Sequence, residues 1–197
     1  MTEKIKRIVS ASIDTKQKIL NDDAFLKRIE NTVNVIVHAL EKGNRIWFCG
    51  NGGSAADAQH LAAEFSGRFY KDRKALPAEA LHCNTSYLTA VANDYSYDVI
   101  YSRLIEGITT EGDVLVGLST SGNSPNILKA FETAREKKLT TVGFTGATGG
   151  KMKELIDHLV NVPSPDTPRI QESHIMIGHI ICELAEAKLF SPNAKGD

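Results

Sequence analysis

The chain has little that would mark it for export, for a membrane or for nucleic acid. Its 197 residues hold three cysteines (Cys49, Cys83 and Cys182), an odd number without framework spacing. That excludes a disulfide scaffold and fits a reducing compartment. No apolar run is long enough to span a bilayer. Met1 to Leu20 interleave Lys, Arg, Asp and Glu with Ile, with neither an apolar signal core nor a cleavage site, so the cytoplasm is the expected location. Neither sign of charge is in excess: 23 Lys+Arg against 24 Asp+Glu leave a net charge of −1. Without a basic stripe, no nucleic-acid partner is expected. The G-x-x-x-x-G-K-[ST] pattern is missing too, which excludes a P-loop. Linkers, repeats and low-complexity segments are absent, and this length suits one domain with a substantial core.

What is present is a regular alternation. Ile5, Ile8, Val9 and Ile13 recur at helical spacing, and so do Phe25, Leu26, Ile29, Val33, Ile36, Val37 and Leu40. The second run lies between Asn21-Asp22-Asp23 and Gly43, good cap residues. Residues 1–43 therefore read as a helical pair, covering the sheet in a monomer or forming an oligomer surface; the first helix is too short to be stable without a partner. Residues 44–197 read as strand–helix units. Strands are expected at Arg45–Cys49, Pro77–His82, Val114–Leu118, Thr140–Phe144 and His158–Val162, and helices at Ser54–Phe69, from Ser86, from Ser124 to Lys138, after Gly150 and from Arg169 to Leu189. Near-continuous apolar strands with helices between them imply an α/β fold: three layers around a five-stranded parallel sheet. Sites in such sheets lie at the carboxyl ends of strands, so the loops at 50–54 and 119–124 are expected to meet on one edge.

Those two loops carry the chemistry. Gly50-Asn51-Gly52-Gly53-Ser54 is a Gly-rich turn from strand to helix N-terminus, where backbone N–H groups and the helix dipole attract an anion. Ser119-Thr120-Ser121-Gly122-Asn123-Ser124 offers four hydroxyls in six residues, with Ser124 placed to cap the next helix and Pro125 in its first turn. Alone it reads equally well as an ordinary Ser-rich turn; beside a second Gly-rich turn, a phosphate site is the better reading. Gly50-x-Gly52-x-x-Ala55 fits the loose dinucleotide pattern, but the next strand ends about 30 residues on without the acid that pattern requires. His60 and Glu64 are four residues apart and share a helix face. They suit two metal ligands, or a base with its orienting partner, or simply an exposed pair. His179 sits in an apolar run (Ile175, Met176, Ile177, Ile180, Ile181), where a lone His is normally a core residue unless a carboxylate or metal meets it. Gln171 and His179, eight residues apart, stand about 12 Å apart along one helix. Either the helix begins after Gln171 or the two come from different subunits, and a site at a subunit interface is expected.

In order, Gly50–Ser54, His60-x-x-x-Glu64, Asn93-Asp94, Ser119–Ser124 and Arg169-Ile170-Gln171-Glu172 with His179 resemble the sedoheptulose 7-phosphate isomerases (phosphoheptose isomerases) of the sugar-isomerase (SIS) domain superfamily. The resemblance covers nearly the whole chain. It implies a flavodoxin-like sheet with an N-terminal helical pair, a homotetramer, and conversion of sedoheptulose 7-phosphate to D-glycero-D-manno-heptose 7-phosphate, the first step towards nucleotide-activated heptose. It implies one zinc ion per subunit held by His60, Glu64, Gln171 and His179. It also implies a sugar phosphate held by Asn51, Gly52, Gly53, Ser54, Glu64, Asn93, Asp94, Ser119, Thr120, Ser121, Ser124 and Gln171. Some members carry Asp immediately before the R-I-Q-E segment; here Pro168 stands there, with Asp166 two residues earlier. His174 reads as structural.

An aldose–ketose isomerase needs a base at carbon, an acid/base at oxygen and something to hold the enediolate charge. Glu64 is expected to be the base and His179 the acid/base, with zinc polarising the carbonyl. Three other readings stand beside this one: an isomerase of another phosphosugar, a sugar-phosphate sensor, and a non-catalytic relative that binds the bacterial replication initiator. The last lacks the equivalents of Glu64 and His179.

Overall fold

The computed structural model describes residues 1–191; residues 192–197 of the expected core segment lie outside them. Helices α1 (Thr2–Leu20) and α2 (Asp23–Glu41) precede β1 (Ile46–Gly50) and α3 (Gly53–Ser66). There follow β2 (Ala78–Ala80), α4 (Thr85–Asp94), α5 (Ile100–Ile108), β3 (Val114–Leu118) and α6 (Pro125–Glu136). The chain ends with β4 (Thr140–Thr145), β5 (His158–Asn161) and α7 (Thr167–Leu189). All neighbouring strands pair in parallel, in the order β2-β1-β3-β4-β5, as the alternation implies.

Strand residues are buried on both faces because helices cover both. Ile46, Phe48, Val114, Val116, Val142, Phe144 and Val160 face α2, α3 and α7, whereas Trp47, Cys49 and Leu115 face α4, α5 and α6. Alternate residues along one strand thus enter opposite cores. Helix α2 starts where Asp22 accepts a bond from the Phe25 amide (2.9 Å). It buries Phe25, Ile29, Val33, Ile36, Val37 and Leu40, each contributing about 1.5–3 kcal/mol.

Three local expectations change. Strand β2 has three residues instead of the expected 77–82. Helix α3 stops at Ser66 and not Phe69, because the chain turns away to bury Arg73. Helix α1 does not cover the sheet: among its apolar residues only Ile19 is buried, and Ile5, Ile8, Val9 and Ile13 are about half exposed. It is tied to the start of α7, where Arg169 Nη1 donates to the Ile8 carbonyl (2.8 Å) and Glu172 accepts from the Ser12 hydroxyl (2.7 Å).

Candidate active site

The sheet order reverses between β1 and β3, and crevices at such switch points are where open α/β sheets bind ligands. Gly50 and Leu118 are paired there, so the turns that follow are neighbours. A reciprocal amide pair joins them: Asn51 Nδ2 donates to Asn126 Oδ1 (2.9 Å), and Asn126 Nδ2 donates to Asn51 Oδ1 (2.8 Å). Tyr97 adds a hydroxyl bond to Asn51 Oδ1 (3.0 Å). Asn126 is buried and gave no signal in sequence, where it is one more residue in a capped helix start.

The space over the first turn is open: nothing lies within 4 Å of where a Gly52 side chain would begin. The second turn is tight. Gly122 has φ +65°, and a Cβ there would fall 2.2 Å from the Gly149 carbonyl oxygen, so only glycine fits. Ser124 stands at the N-cap of α6 without the expected side-chain cap; its hydroxyl instead meets that of Ser119 at 3.0 Å. Ser119 and Ser54 are buried, Thr120 and Ser124 partly buried, Ser121 exposed. Asn93 and Asp94, at the end of α4, are exposed and bonded to each other (2.9 Å).

One further group lies at the other end of α3. His60 Nε2 is 2.9 Å from His179 Nε2 and 3.2 Å from Glu64 Oε1, and one ligand atom from each of the three residues lies within 4.8 Å of the others. His179 comes from α7 of the same chain. It can reach α3 because its neighbour Gly178 packs on Leu61: a Cβ there would be 2.5 Å from Leu61 Cδ2. A glycine inside a helix costs about 1 kcal/mol, and here it permits the close approach of the two helices. Glu64 and His179 thus meet within one chain.

Helix α7 begins at Thr167 and contains Gln171, which removes the option of a later start. The Gln171 amide packs against Gly53, its Nε2 2.6 Å from where a Gly53 Cβ would be. Of the four expected ligands the structure thus gathers His60, Glu64 and His179, with Gln171 at the Gly-rich turn. Within the R-I-Q-E segment, Ile170 is core and Arg169 and Glu172 hold α1. Asp166 is the N-cap of α7 without a side-chain cap bond. His174 is fully buried; its Nε2 donates to the Thr145 carbonyl (3.0 Å), and burial brings its pKa down to about 4.

The donor chemistry suits a divalent metal. Two imidazole nitrogens and one carboxylate are a set that binds catalytic zinc and leaves positions open. Tetrahedral bonds of 2.0–2.1 Å place ligand atoms about 3.3 Å apart, near the 2.9 and 3.2 Å found here. Asp57, one turn before His60, leaves one carboxylate oxygen buried without a partner. Burial raises its pKa, and His60 opposes that rise.

Comparison with known proteins shows the family of the chain. The SIS domain family matches residues 8–146, a span that holds both turns and the His60/Glu64 pair. A phosphoheptose isomerase of Clostridium acetobutylicum is 52% identical over 186 residues, 94% of this chain and 95% of that protein. That similarity extends well beyond residue 146. The solved phosphoheptose isomerase of Neisseria gonorrhoeae has TM-score 0.89 and 39% identity, covering 94% of this chain and 98% of that one. The one from Francisella tularensis has TM-score 0.91 and 33% identity, covering 95% and 98%.

Proposed function

The chain belongs to the SIS domain family and within it to the phosphoheptose isomerases, and on that premise we propose how its residues carry the reaction. It interconverts sedoheptulose 7-phosphate and D-glycero-D-manno-heptose 7-phosphate. The observation that carries the mechanism is the convergence of His60, Glu64 and His179 on one point, on the helix that starts at the Gly-rich turn.

The phosphate is held by the two turns: Asn51, Gly52, Gly53 and Ser54 on one side, Ser119, Thr120, Ser121 and Ser124 on the other. Backbone N–H groups, hydroxyls and the N-terminus of α3 supply the anion site. His60 is seven residues after Gly53, about 10 Å along the helix axis. That separation suits a substrate whose reacting carbons lie at the opposite end of the chain from its phosphate. Gln171, on Gly53, is placed to bond the sugar between the two ends; Asn93 and Asp94 belong to its rim. Binding energy from the remote phosphate then positions C1 and C2 at the triad.

Glu64 removes the carbon proton and, after its carboxyl group exchanges that proton with solvent, delivers one to the adjacent carbon. His179 moves the proton between the two oxygens, with His60 beside both residues. His60, Glu64 and His179 would hold one zinc ion per subunit; Gln171, the fourth ligand that the family resemblance implies, lies in this chain on Gly53, about 12 Å along α7 from His179, where it serves the sugar. Bound there, the metal would polarise the carbonyl and spread the charge of the enediolate.

The half-exposed Ile5, Ile8, Val9 and Ile13 stripe supports a surface for self-association, in keeping with the homotetramer that the family resemblance implies. Because Glu64 and His179 come from one chain, subunit interfaces would border the site and not complete the triad. The three free thiols support a cytoplasmic enzyme, feeding the synthesis of nucleotide-activated heptose for surface glycans. No described helix is long and apolar enough to cross a membrane. A role as a replication-initiator-binding protein or a sugar-phosphate sensor would leave the triad without use.

Turnover tests all of these at once. The purified protein should convert sedoheptulose 7-phosphate far faster than pentose or hexulose phosphates, lose activity to a chelator, and regain it with one equivalent of zinc. Faster turnover of another phosphosugar, or none with zinc restored, would contradict the proposal.

A further inference from the structure

The segment that follows α3 is built around a buried ion pair the reaction does not itself use. Arg73 and Glu186 are both almost fully buried, with Arg73 Nε 3.0 Å from Glu186 Oε1. The amides of Phe69, Tyr70 and Lys71 donate to the same carboxylate at 3.1, 2.8 and 2.9 Å. Burial alone would raise the Glu186 pKa; these amides and Arg73 outweigh it and hold the group below its usual value. The guanidinium directs its remaining N–H groups to carbonyls at the end of α3 and to that of neighbouring Lys74. Nη2 donates to the Glu64 carbonyl (2.8 Å), and Nη1 to those of Phe65 (2.8 Å), Gly67 (2.9 Å) and Lys74 (3.1 Å).

We propose that Arg73 and Glu186 are positioning residues for the reaction, a buried clamp that holds Glu64 and His179 at metal-binding separation. This rests on reading His60, Glu64 and His179 as the catalytic metal site. Three observations point the same way. Arg73 grips the backbone of Glu64 itself, on the last turn of α3, where helix carbonyls have no partner of their own. Glu186 lies on α7, seven residues past His179, so the ion pair ties together the two helices that supply the triad. The loop whose amides Glu186 collects carries Phe69, whose ring centroid is 5.9 Å from that of His179. One carboxylate therefore fixes the backbone of the base and the packing of the imidazole. Metal sites tolerate ligand shifts of only about 0.2 Å, which gives such a clamp a function beyond stability.

The test uses the full chain and three variants. Arg73→Lys keeps the charge but cannot reach Glu186 and the carbonyls together. Glu186→Gln keeps the shape and loses the charge. Phe69→Leu leaves the ion pair and removes the ring beside His179. Zinc affinity is read by competition with a chromophoric chelator, and kcat and KM at saturating zinc. Zinc binding should weaken about 10- to 100-fold in Arg73→Lys and Glu186→Gln, with a tenfold or greater fall in kcat and KM within about twofold. Phe69→Leu should show a smaller change in the same direction. Folded variants with wild-type zinc affinity and kcat, and only a lower melting temperature, would overturn the proposal. If the two ion-pair variants do not fold, Glu186→Asp, which keeps the charge and shortens its reach to Arg73 and the three amides, decides it by the same readouts. A wild-type protein that binds no zinc would overturn the catalytic reading along with the clamp.

Discussion

Replacing Asn126 by Ala should loosen the phosphate site more than the protein as a whole. The substitution removes two hydrogen bonds, at 2.9 and 2.8 Å, each worth about 1 kcal/mol net. It does not orphan the whole Asn51 amide, because Tyr97 continues to donate to Oδ1 (3.0 Å). Only Nδ2 is stranded. Asn51 is partly exposed, so water can reach that group and the added cost lies at the low end of the roughly 1–3 kcal/mol range for an unsatisfied donor. The total is about 2–3 kcal/mol of stability, measurable as a shift of the urea midpoint at unchanged slope. The functional effect has a different origin. The amide pair is the direct side-chain link between the two turns, so the variant must order them when phosphate binds. If about 1.4 kcal/mol of the lost stability is recovered only on binding, KM for the ketose phosphate rises about tenfold. The triad lies further along α3, so kcat should change little. A variant with the expected loss of stability and an unchanged KM would refute the idea that this pair organises the phosphate site.

Three other substitutions or conditions give separate outcomes. Gly53→Ala adds a methyl where the Gln171 amide sits, 2.6 Å from its Nε2. Gly53 is not in the left-handed region, so relief of chain entropy, worth about 0.4–1 kcal/mol, offsets the crowding. Stability should stay within about 1 kcal/mol of wild type while KM rises; an unchanged KM removes Gln171 from the substrate site. Acid should unfold the protein partly through His174. Its pKa is about 4 in the fold against an ordinary 6.5, so the unfolded chain takes up a proton that the fold refuses. Stability is therefore full above about pH 6.5 and falls by up to about 3 kcal/mol as pH drops to 4. His174→Gln, measured by urea unfolding across that range, should show a flatter profile; an unchanged slope assigns the loss to other groups. Finally, mixing inactive Glu64→Gln and His179→Gln subunits should give no active hybrids. Recovery of activity would mean that the triad is assembled across subunits.

The sheet and its two turns were legible because they rest on local signals. Short apolar runs bounded by turn residues, such as Val114–Leu118, fit strands covered on both faces, and Gly-rich or Ser-rich turns after them mark the carboxyl edge. The His60/Glu64 pair was legible from helical spacing alone. What brings His179 to it was not: spacing reads His179 as one polar residue in an apolar run, and its partners lie 115 and 119 residues earlier in the chain. The signal that could have helped is Gly178, a glycine inside a helix whose position makes sense only where another helix comes close. Asn126 and Arg73 were invisible for the same reason. Asn126 pairs with a residue 75 positions away, and Arg73 takes its meaning from Glu186, 113 positions on. The overlong expectation for α3 followed directly, because the contacts that end the helix are tertiary. Helix α1 shows the opposite case: its apolar stripe was read correctly, but a stripe does not say whether it is covered within the chain or by another copy.

The central claim is that Glu64 handles the carbon-bound proton of a sugar whose phosphate sits at the β1 and β3 turns. Hydrogen exchange at C1 of sedoheptulose 7-phosphate in D2O, followed by NMR with zinc supplied, measures that step by itself. The wild-type protein should introduce solvent deuterium as it isomerises the sugar, and Glu64→Gln, folded and binding the sugar phosphate, should introduce none above background. Exchange at the wild-type rate in Glu64→Gln would show that another group removes the proton, and the account of this site would be wrong.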